Sequence, residues 1–229
     1  IGGVVPANKT LTLPNHPELR ADYFLERREI GIINVGGTGT VTADGKKFKV
    51  EQLSCLYLGK GTKNVSFASA SKKNPALFYL LSSPAHAEYP ANLFTKEQAS
   101  PVELGAPETA NKRTVYKYIH LDGIRSCQLV MGLTTLSPGS VWNSIPPHTH
   151  TRRMEVYFYF NLPEEHRIMH FMGNPKETRH MVVANNEAVI SAPWSTHYGC
   201  GTTNYGFIWG MAGENLVYTD MDPAPVATL

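Results

Sequence analysis

Two histidines and a glutamate stand ahead of a strongly apolar run in residues 147–160, which read Pro147-His148-Thr149-His150-Thr151-Arg152-Arg153-Met154-Glu155-Val156-Tyr157-Phe158-Tyr159-Phe160. Side chains alternate along a strand, so His148 and His150 are expected on one face. Glu155 opens the next extended run, and residues 151–154 connect the two. Three side chains able to bind a metal should therefore share one volume, and this ligand type suits zinc, iron, manganese or nickel.

A fourth candidate ligand, His197, follows a later extended run in Pro193-Trp194-Ser195-Thr196-His197. The plainer alternative is a set of ordinary strand histidines beside a surface glutamate. Three potential ligands at this spacing, directly before a strong strand, favour a metal site over that alternative. The sequence therefore predicts a metal centre formed by His148, His150, Glu155 and His197.

Composition bounds the class of protein. The chain has 229 residues, 42% of them apolar, and its 21 basic and 19 acidic residues leave a net charge of +2. No basic run suggests a nucleic-acid partner, and no apolar stretch or leader suggests a membrane partner. Its three cysteines are far apart and odd in number, which favours reduced thiols and a cytoplasmic location.

Short apolar runs separated by glycine and proline indicate an all-β protein of the sandwich or barrel type. The clearest hairpin runs from Gly39 to Val50 around Asp44-Gly45, a pair that fits a type I′ turn. A proline-rich segment follows the first group of strands, and a second group begins near Thr114. We predict two domains, residues 1–105 and residues 106–229, with a metal site only in the second.

The pattern His148-x-His150-x4-Glu155, with the later His197, resembles the metal site of cupins. Several longer sequence segments are similar to segments of the bacterial 5-keto-4-deoxyuronate isomerase family and follow one another in the same order. They include Tyr23 to Glu29, Gly36 to Gly39, Tyr57 to Gly61, His148 to Phe160, Glu177 to His180, Trp194 to His197 and Phe207 to Asn215.

This resemblance implies two cupin-like (double-stranded β-helix, or jelly-roll) barrels, the first without a metal site. It implies one Zn²⁺ per subunit, held by His148, His150, Glu155 and His197, in a homohexamer. The implied activity belongs to pectin degradation and interconverts 5-dehydro-4-deoxy-D-glucuronate and 3-deoxy-D-glycero-2,5-hexodiulosonate. Family members also carry residues preceding the region of Ile1.

An aldose–ketose isomerisation needs groups that move a proton and groups that hold the uronate. Glu214, after the last long strand, is a candidate acid or base. Tyr157 and Tyr159 share the parity of Glu155 and are candidates for substrate contact, although both would also suit barrel packing. The substrate carboxylate calls for a guanidinium. Arg179 is the preferred candidate over Arg152 and Arg153, which lie in a connection.

Three other functions remain open at this point. A cupin isomerase acting on 5-deoxy-glucuronate in inositol breakdown would use the same chemistry and a similar metal site. An iron cupin dioxygenase can carry the same three-histidine, one-glutamate set. A non-catalytic sugar-binding bicupin would bind a ligand without turning it over, and it would need no metal cluster.

Overall fold

The structure, a computed structural model, describes residues Ile1–Leu229 and confirms the all-β class. Its helices are three single-turn 3₁₀ segments, Pro17–Leu19, Pro107–Thr109 and Val226–Thr228. None of them approaches the length and apolar character that crossing a membrane would require. The chain forms two compact units. Unit 1 comprises Ile1–Ala99 and Tyr118–Leu129, and unit 2 comprises Ser100–Lys117 and Val130–Leu229.

Unit 1 contains nine strands in two antiparallel sheets, ordered β1-β8-β3-β6-β9 and β2-β7-β4-β5. The strands are β1 (Gly2–Val4), β2 (Leu11–Thr12), β3 (Arg28–Asn34), β4 (Gly39–Ala43), β5 (Lys46–Val50), β6 (Cys55–Leu58), β7 (Val65–Ser69), β8 (Phe78–Pro84) and β9 (Asn92–Phe94). The β4–β5 hairpin confirms the predicted turn, because Asp44 and Gly45 both have positive φ, as a type I′ turn requires. The core of the unit is aliphatic and aromatic, and Ile32, Leu56 and Phe67 are fully buried in it.

A buried carboxylate explains why unit 1 extends beyond the predicted boundary at residue 105. Glu29 on β3 is fully buried, and Tyr57 donates a hydrogen bond of 2.7 Å to it. The backbone N–H groups of residues 127–129 donate three more, at 2.7, 2.7 and 3.1 Å. Hydrogen bonds to an ionised acceptor are among the stronger ones in proteins. The segment from Tyr118 to Leu129 thus belongs to unit 1 and interrupts the sequence of unit 2.

Unit 2 contains, wholly or for most of their length, twelve strands in sheets ordered β10-β11-β12-β20-β15-β18, β13-β19-β16-β17 and β14-β21. The strands are β10 (Val102–Leu104), β11 (Arg113–Ile119), β12 (Leu129–Leu136), β13 (Trp142–Asn143), β14 (His148–Thr149), β15 (Arg153–Phe160), β16 (Ile168–Asn174), β17 (Glu177–Val183), β18 (Ala188–Ser191), β19 (Thr196–Gly201), β20 (Gly206–Gly213) and β21 (Asp222–Pro223).

The predicted apolar run forms β15, a strand buried along almost its whole length. It pairs antiparallel with β20 over eight residues and with β18 over four. Tyr157 lies opposite Trp209, and Tyr159 lies opposite Phe207, so these aromatic pairs build the core of unit 2. Cross-strand aromatic pairs of this kind stabilise a sheet. Glu155, two residues before Tyr157, is carried into the interior by the same alternation.

Candidate metal centre

Four side chains from three strands and one connection converge in unit 2. His148 lies on β14, His150 directly follows it, Glu155 is on β15 and His197 is on β19. One ligand atom from each lies within 4.8 Å of the others. Glu155 Oε2 is 2.9 Å from His150 Nε2 and 2.8 Å from His197 Nε2. The Nε2 atoms of His148 and His197 are 3.2 Å apart. The structure therefore brings together all four predicted ligands.

Backbone and hydroxyl partners orient two of the imidazoles. His150 Nδ1 is 2.7 Å from the Asp220 carbonyl oxygen. His197 Nδ1 is 3.1 Å from Ser191 Oγ and 3.2 Å from the Ser195 carbonyl oxygen. When Nδ1–H donates a hydrogen bond to a carbonyl oxygen, the lone pair on Nε2 is left facing the cluster. Metal-binding histidines usually have this arrangement, with the second ring nitrogen donating to a carbonyl or carboxylate.

Burial and mutual charge set the protonation of the cluster. Burial, together with the neighbouring His197, lowers the pKa of His148 to about 3, so its imidazole is neutral near neutral pH. Burial alone would raise the pKa of Glu155. His197 and His150, whose Nε2 atoms lie against the carboxylate, instead hold the pKa of this carboxyl below its usual range. A neutral imidazole and a carboxylate are the forms that coordinate metals.

The donor set fits a divalent metal ion. Three imidazole nitrogens and one carboxylate oxygen suit zinc, iron or manganese. Glu155 and His197 are almost fully buried, so the donor atoms lie away from bulk solvent. Unit 1 contains no comparable group of three or more metal-binding side chains. The arrangement thus provides one candidate metal centre in the chain.

The cluster opens onto a cavity of about 370 Å³, a size typical of sites for small molecules. His148, His150 and Glu155 line it directly. Most of its wall is apolar or aromatic, and Trp209 and Met211 are examples. Its remaining polar lining groups are Arg113, Thr134, Ser144, Tyr157, Tyr218 and Thr219. The cavity therefore presents metal-binding atoms, hydroxyl groups and one guanidinium to a small polar ligand.

The two tyrosines predicted to face the site have different positions. Tyr157 lines the cavity, and its hydroxyl is 2.7 Å from Ser144 Oγ. Burial and the nearby Glu155 raise the pKa of Tyr157, so the hydroxyl stays protonated. Tyr159 does not line the cavity; its hydroxyl lies 2.7 Å from Nδ1 of the buried His170. The structure thus places Tyr157 at the site and Tyr159 in the packed interior.

Arg179 and Glu214 are not brought to the cluster. β17, which carries Arg179, is an edge strand whose side chains are mostly exposed. The Arg179 guanidinium pairs with Glu177 at 3.0 Å on that surface. Glu214 follows the end of β20 and is exposed, 3.8 Å from the Arg152 guanidinium. The alternation of side chains along β15 predicted which of its residues face the interior. It does not predict where Arg179, on an edge strand, and Glu214, after the end of β20, lie relative to the site.

Arg153 is an internal anchor of the loop that follows β20. Only 1% of its surface is exposed, and its guanidinium donates hydrogen bonds to four carbonyl oxygens of residues 215–220, at 2.8–3.1 Å. One of these acceptors is the Asp220 carbonyl, which also lies beside His150 Nδ1. The same loop carries Tyr218 and Thr219 to the cavity wall. Arg153 therefore holds a wall of the cavity and a partner of one candidate ligand.

Among the cavity residues that sequence reasoning missed are Arg113, Ser144 and Tyr218. Arg113 and Val115 alternate at the start of β11 and both line the cavity. This period of two was the available signal for Arg113. Ser144 and Tyr218 lie in connections, where no periodic pattern indicates the direction of a side chain.

The all-β units define a protein of the cupin type, with a histidine–glutamate cluster that could hold a metal ion. Solved structures agree on the fold. An IolB-like protein from Salmonella typhimurium matches 93% of this chain and 83% of its own, with a TM-score of 0.76 and 18% identity. Oxalate decarboxylase from Bacillus subtilis matches 86% of this chain and 66% of its own, with a TM-score of 0.59 and 12% identity. The predicted fold class is confirmed.

The chain belongs to the KduI/IolB family, whose model matches residues 5–226. A relative from Shouchella clausii is 52% identical over 229 residues, which cover all of this chain and 83% of the relative. One from Formosa agariphila is 54% identical over 228 residues, which cover all of this chain and 81% of the relative. Both are named 4-deoxy-L-threo-5-hexosulose-uronate ketol-isomerase. The family resemblance seen in the sequence is confirmed, and the chain is an enzyme of the isomerase class.

Proposed function

We propose that the chain is a metal-dependent aldose–ketose isomerase that interconverts 5-dehydro-4-deoxy-D-glucuronate and 3-deoxy-D-glycero-2,5-hexodiulosonate. The observation that carries the proposal is the convergence of His148, His150, Glu155 and His197 at the wall of a cavity suited to a six-carbon acid. The names of the relatives from Shouchella clausii and Formosa agariphila support this substrate class.

The reaction moves a carbonyl group between C1 and C2 without changing the composition of the sugar acid. In the direction of the ketose, one proton passes from C2 to C1 and another from the C2 hydroxyl to the C1 oxygen. A divalent ion held by the cluster would polarise the carbonyl and stabilise negative charge on the oxygens. The hydroxyl groups of Tyr157 and Ser144, a hydrogen-bonded pair at the cavity wall, would bind the same oxygens.

The cavity favours this chemistry because its aromatic walls lower the polarity around a charged intermediate. Fully or largely buried aromatic side chains such as Tyr157, Phe207 and Trp209 form much of the surface. In a site of low polarity, preorganised donors stabilise developing charge more strongly than water does. The loss of one such donor typically costs about 3 kcal/mol of transition-state stabilisation.

Zinc is the metal that we propose, with one ion per subunit in the second barrel. The set of imidazole and carboxylate ligands is common in zinc sites, and zinc expands to five-coordination when it binds a substrate. The family resemblance also supports a homohexamer that acts on a small-molecule uronate. The three separate cysteines support a cytoplasmic location. Elemental analysis of the purified chain and light scattering measure the metal and the oligomeric state.

The decisive experiment combines metal analysis with turnover of the uronate, for the wild-type chain and for His197→Ala. The wild type should carry about one zinc per chain and convert the substrate, whereas His197→Ala should lose most of both. His180→Ala is the matched control, because His180 is exposed on β17 and should leave zinc and activity unchanged. Full activity in metal-free His197→Ala would contradict the proposal.

The same assay separates the other activities that the sequence leaves open. A 5-deoxy-glucuronate isomerase would turn over that sugar acid in preference to the 4-deoxy-5-keto compound. An iron dioxygenase would contain iron and consume oxygen with its substrate. A non-catalytic bicupin would bind a sugar acid without converting it.

A further inference from the structure

The cavity contains a guanidinium that the isomerisation chemistry does not use. Arg113, the first residue of β11, lines the cavity together with the metal cluster. The other two basic side chains in the lining, His148 and His150, belong to the cluster itself. Arg113 is therefore the only permanently charged cation available to a ligand inside this cavity.

Arg113 has no carboxylate partner in the protein. None of the ion pairs in the structure involves it. Its one hydrogen bond to the protein runs from Nη1 to the Asn111 carbonyl oxygen, at 2.9 Å. A guanidinium carries five N–H donors, so most of them remain for another acceptor. Partial burial of a cation without a counter-ion is costly, and a bound anion offsets that cost.

The other arginines near the site are already occupied. Arg153 donates to four carbonyl oxygens of the loop after β20, and its Nε lies 3.4 Å from His150 Nδ1. Arg152 and Arg179 are exposed, and each lies beside a glutamate. Arg113 differs from all three because its free donors face a cavity and not solvent or the protein interior.

The buried residue Asn111 holds the Arg113 side chain in position through a hydrogen bond to its carbonyl oxygen. Asn111 is 7% exposed. Its Oδ1 accepts hydrogen bonds from the Ala106 backbone at 3.1 Å and from the Thr109 hydroxyl at 2.7 Å. Asn111 in turn accepts the Arg113 hydrogen bond on its carbonyl oxygen. A guanidinium held in this way loses little freedom when it binds a planar carboxylate through two parallel hydrogen bonds.

We propose that Arg113 binds the carboxylate of the uronate, while the cluster faces the carbonyl end of the same molecule. This assignment rests on the proposed function, since it needs a substrate with a carboxylate. It makes Arg113 the residue that selects an acid over a neutral sugar. It also replaces Arg179, which the sequence favoured for this role.

The test compares the uronate with its methyl ester, which keeps the carbon chain and removes the charge. For the zinc-loaded wild type, KM for the ester should exceed KM for the acid by about 10- to 100-fold, the range expected for a charge-assisted pair. In Arg113→Met, KM for the acid should rise by a similar factor, and the preference for acid over ester should disappear. The value of kcat should change much less than KM, because this contact is equal in ground and transition states.

Two further variants keep the result interpretable. Arg179→Met removes an exposed arginine of the same size, and its KM values should match those of the wild type. Arg113→Lys retains the charge but not the two parallel hydrogen bonds. It should keep a reduced preference for the acid, and it decides the question if Arg113→Met loses zinc or fails to fold.

The outcomes are distinct. Equal KM values for acid and ester in the wild type overturn the role of Arg113 whatever the variants do. So does an Arg113→Met variant that retains zinc and still prefers the acid. A wild type that converts neither compound contradicts the proposed function itself.

Discussion

At the scale of single residues, Tyr157 and Tyr159 show that two side chains of one parity can have separate tasks. The Tyr157 hydroxyl meets Ser144 at the cavity wall, whereas the Tyr159 hydroxyl meets His170 in the interior. His170 is fully buried, and its Nε2 has no protein partner. Removal of each hydroxyl should therefore have a different consequence.

We predict that Tyr159→Phe lowers stability and leaves catalysis nearly intact. The change deprives the buried His170 of its one hydrogen bond, which should cost about 1–3 kcal/mol in the free energy of unfolding. Denaturant titration measures this cost. The value of kcat/KM should stay within about threefold of the wild-type value, because a larger loss would require displacement of the site residues.

The matched variant Tyr157→Phe should do the reverse. Ser144 lies at the cavity and can bond to water instead, so stability should change by less than about 1 kcal/mol. The substrate loses a preorganised hydroxyl donor, and kcat/KM should fall about 100-fold. A large loss of activity in Tyr159→Phe, with none in Tyr157→Phe, would contradict both assignments.

At the scale of elements, one buried arginine links β15 to the loop after β20. Arg153 donates to four carbonyl oxygens of that loop, and the Asp220 carbonyl touches His150 Nδ1. The loop also presents Tyr218 to the cavity. The geometry of a candidate ligand thus depends on a side chain that does not touch the metal position.

Arg153→Met should weaken zinc binding about 10- to 100-fold, the usual effect of losing a group that orients a metal ligand. It should also lower the free energy of unfolding, because four partly buried carbonyl oxygens lose their donor. Competition with a zinc indicator and thermal denaturation measure the two effects. Arg152→Met, which alters an exposed neighbour, should change neither quantity. Unaltered zinc affinity in Arg153→Met would show that the loop holds its place without the guanidinium.

Elements with a local signature were predictable from the sequence. The type I′ turn at Asp44-Gly45 depends only on its own two residues. The strand β15 is indicated by the apolar run that follows Glu155. His197 was predicted as a ligand because His148, His150 and Glu155 already indicated a metal site that a further histidine could complete. The loop after β20 has no such pattern, since its shape depends on Arg153 from a distant strand. Arg113 was missed for the same reason: its access to the cavity depends on pairing between distant strands.

At the scale of the whole molecule, long sequence segments typical of the family predicted the fold class and the family. They did not predict which residues form each compact unit. The predicted boundary lies at residues 105 and 106, yet residues 118–129 form part of unit 1. Their attachment to Glu29 uses backbone N–H groups, which every sequence possesses. No residue type in that segment could therefore reveal the partner.

Removal of the metal should lower the thermal stability of the protein. An ion at one hundred times its Kd stabilises the folded state by about 2.7 kcal/mol. For a chain of this size, that corresponds to a Tm shift of about 5–11 °C. Calorimetry in EDTA and in excess zinc measures the shift, which should be absent in His197→Ala. Hydrogen exchange should show the added protection around β14, β15 and β19. Identical Tm values for the wild type in EDTA and zinc would contradict metal binding by the cluster.

The long sequence separation between Glu29 and its backbone donors has a consequence for the synthesis of the chain. Its most distant backbone donor, Leu129, lies 100 residues further on. At a translation rate of 5–20 residues per second, Glu29 precedes that donor by about 5–20 s. During this interval Glu29 lacks the three backbone N–H donors of residues 127–129. The unit that comes first in sequence is thus completed only after the ribosome has also made β11.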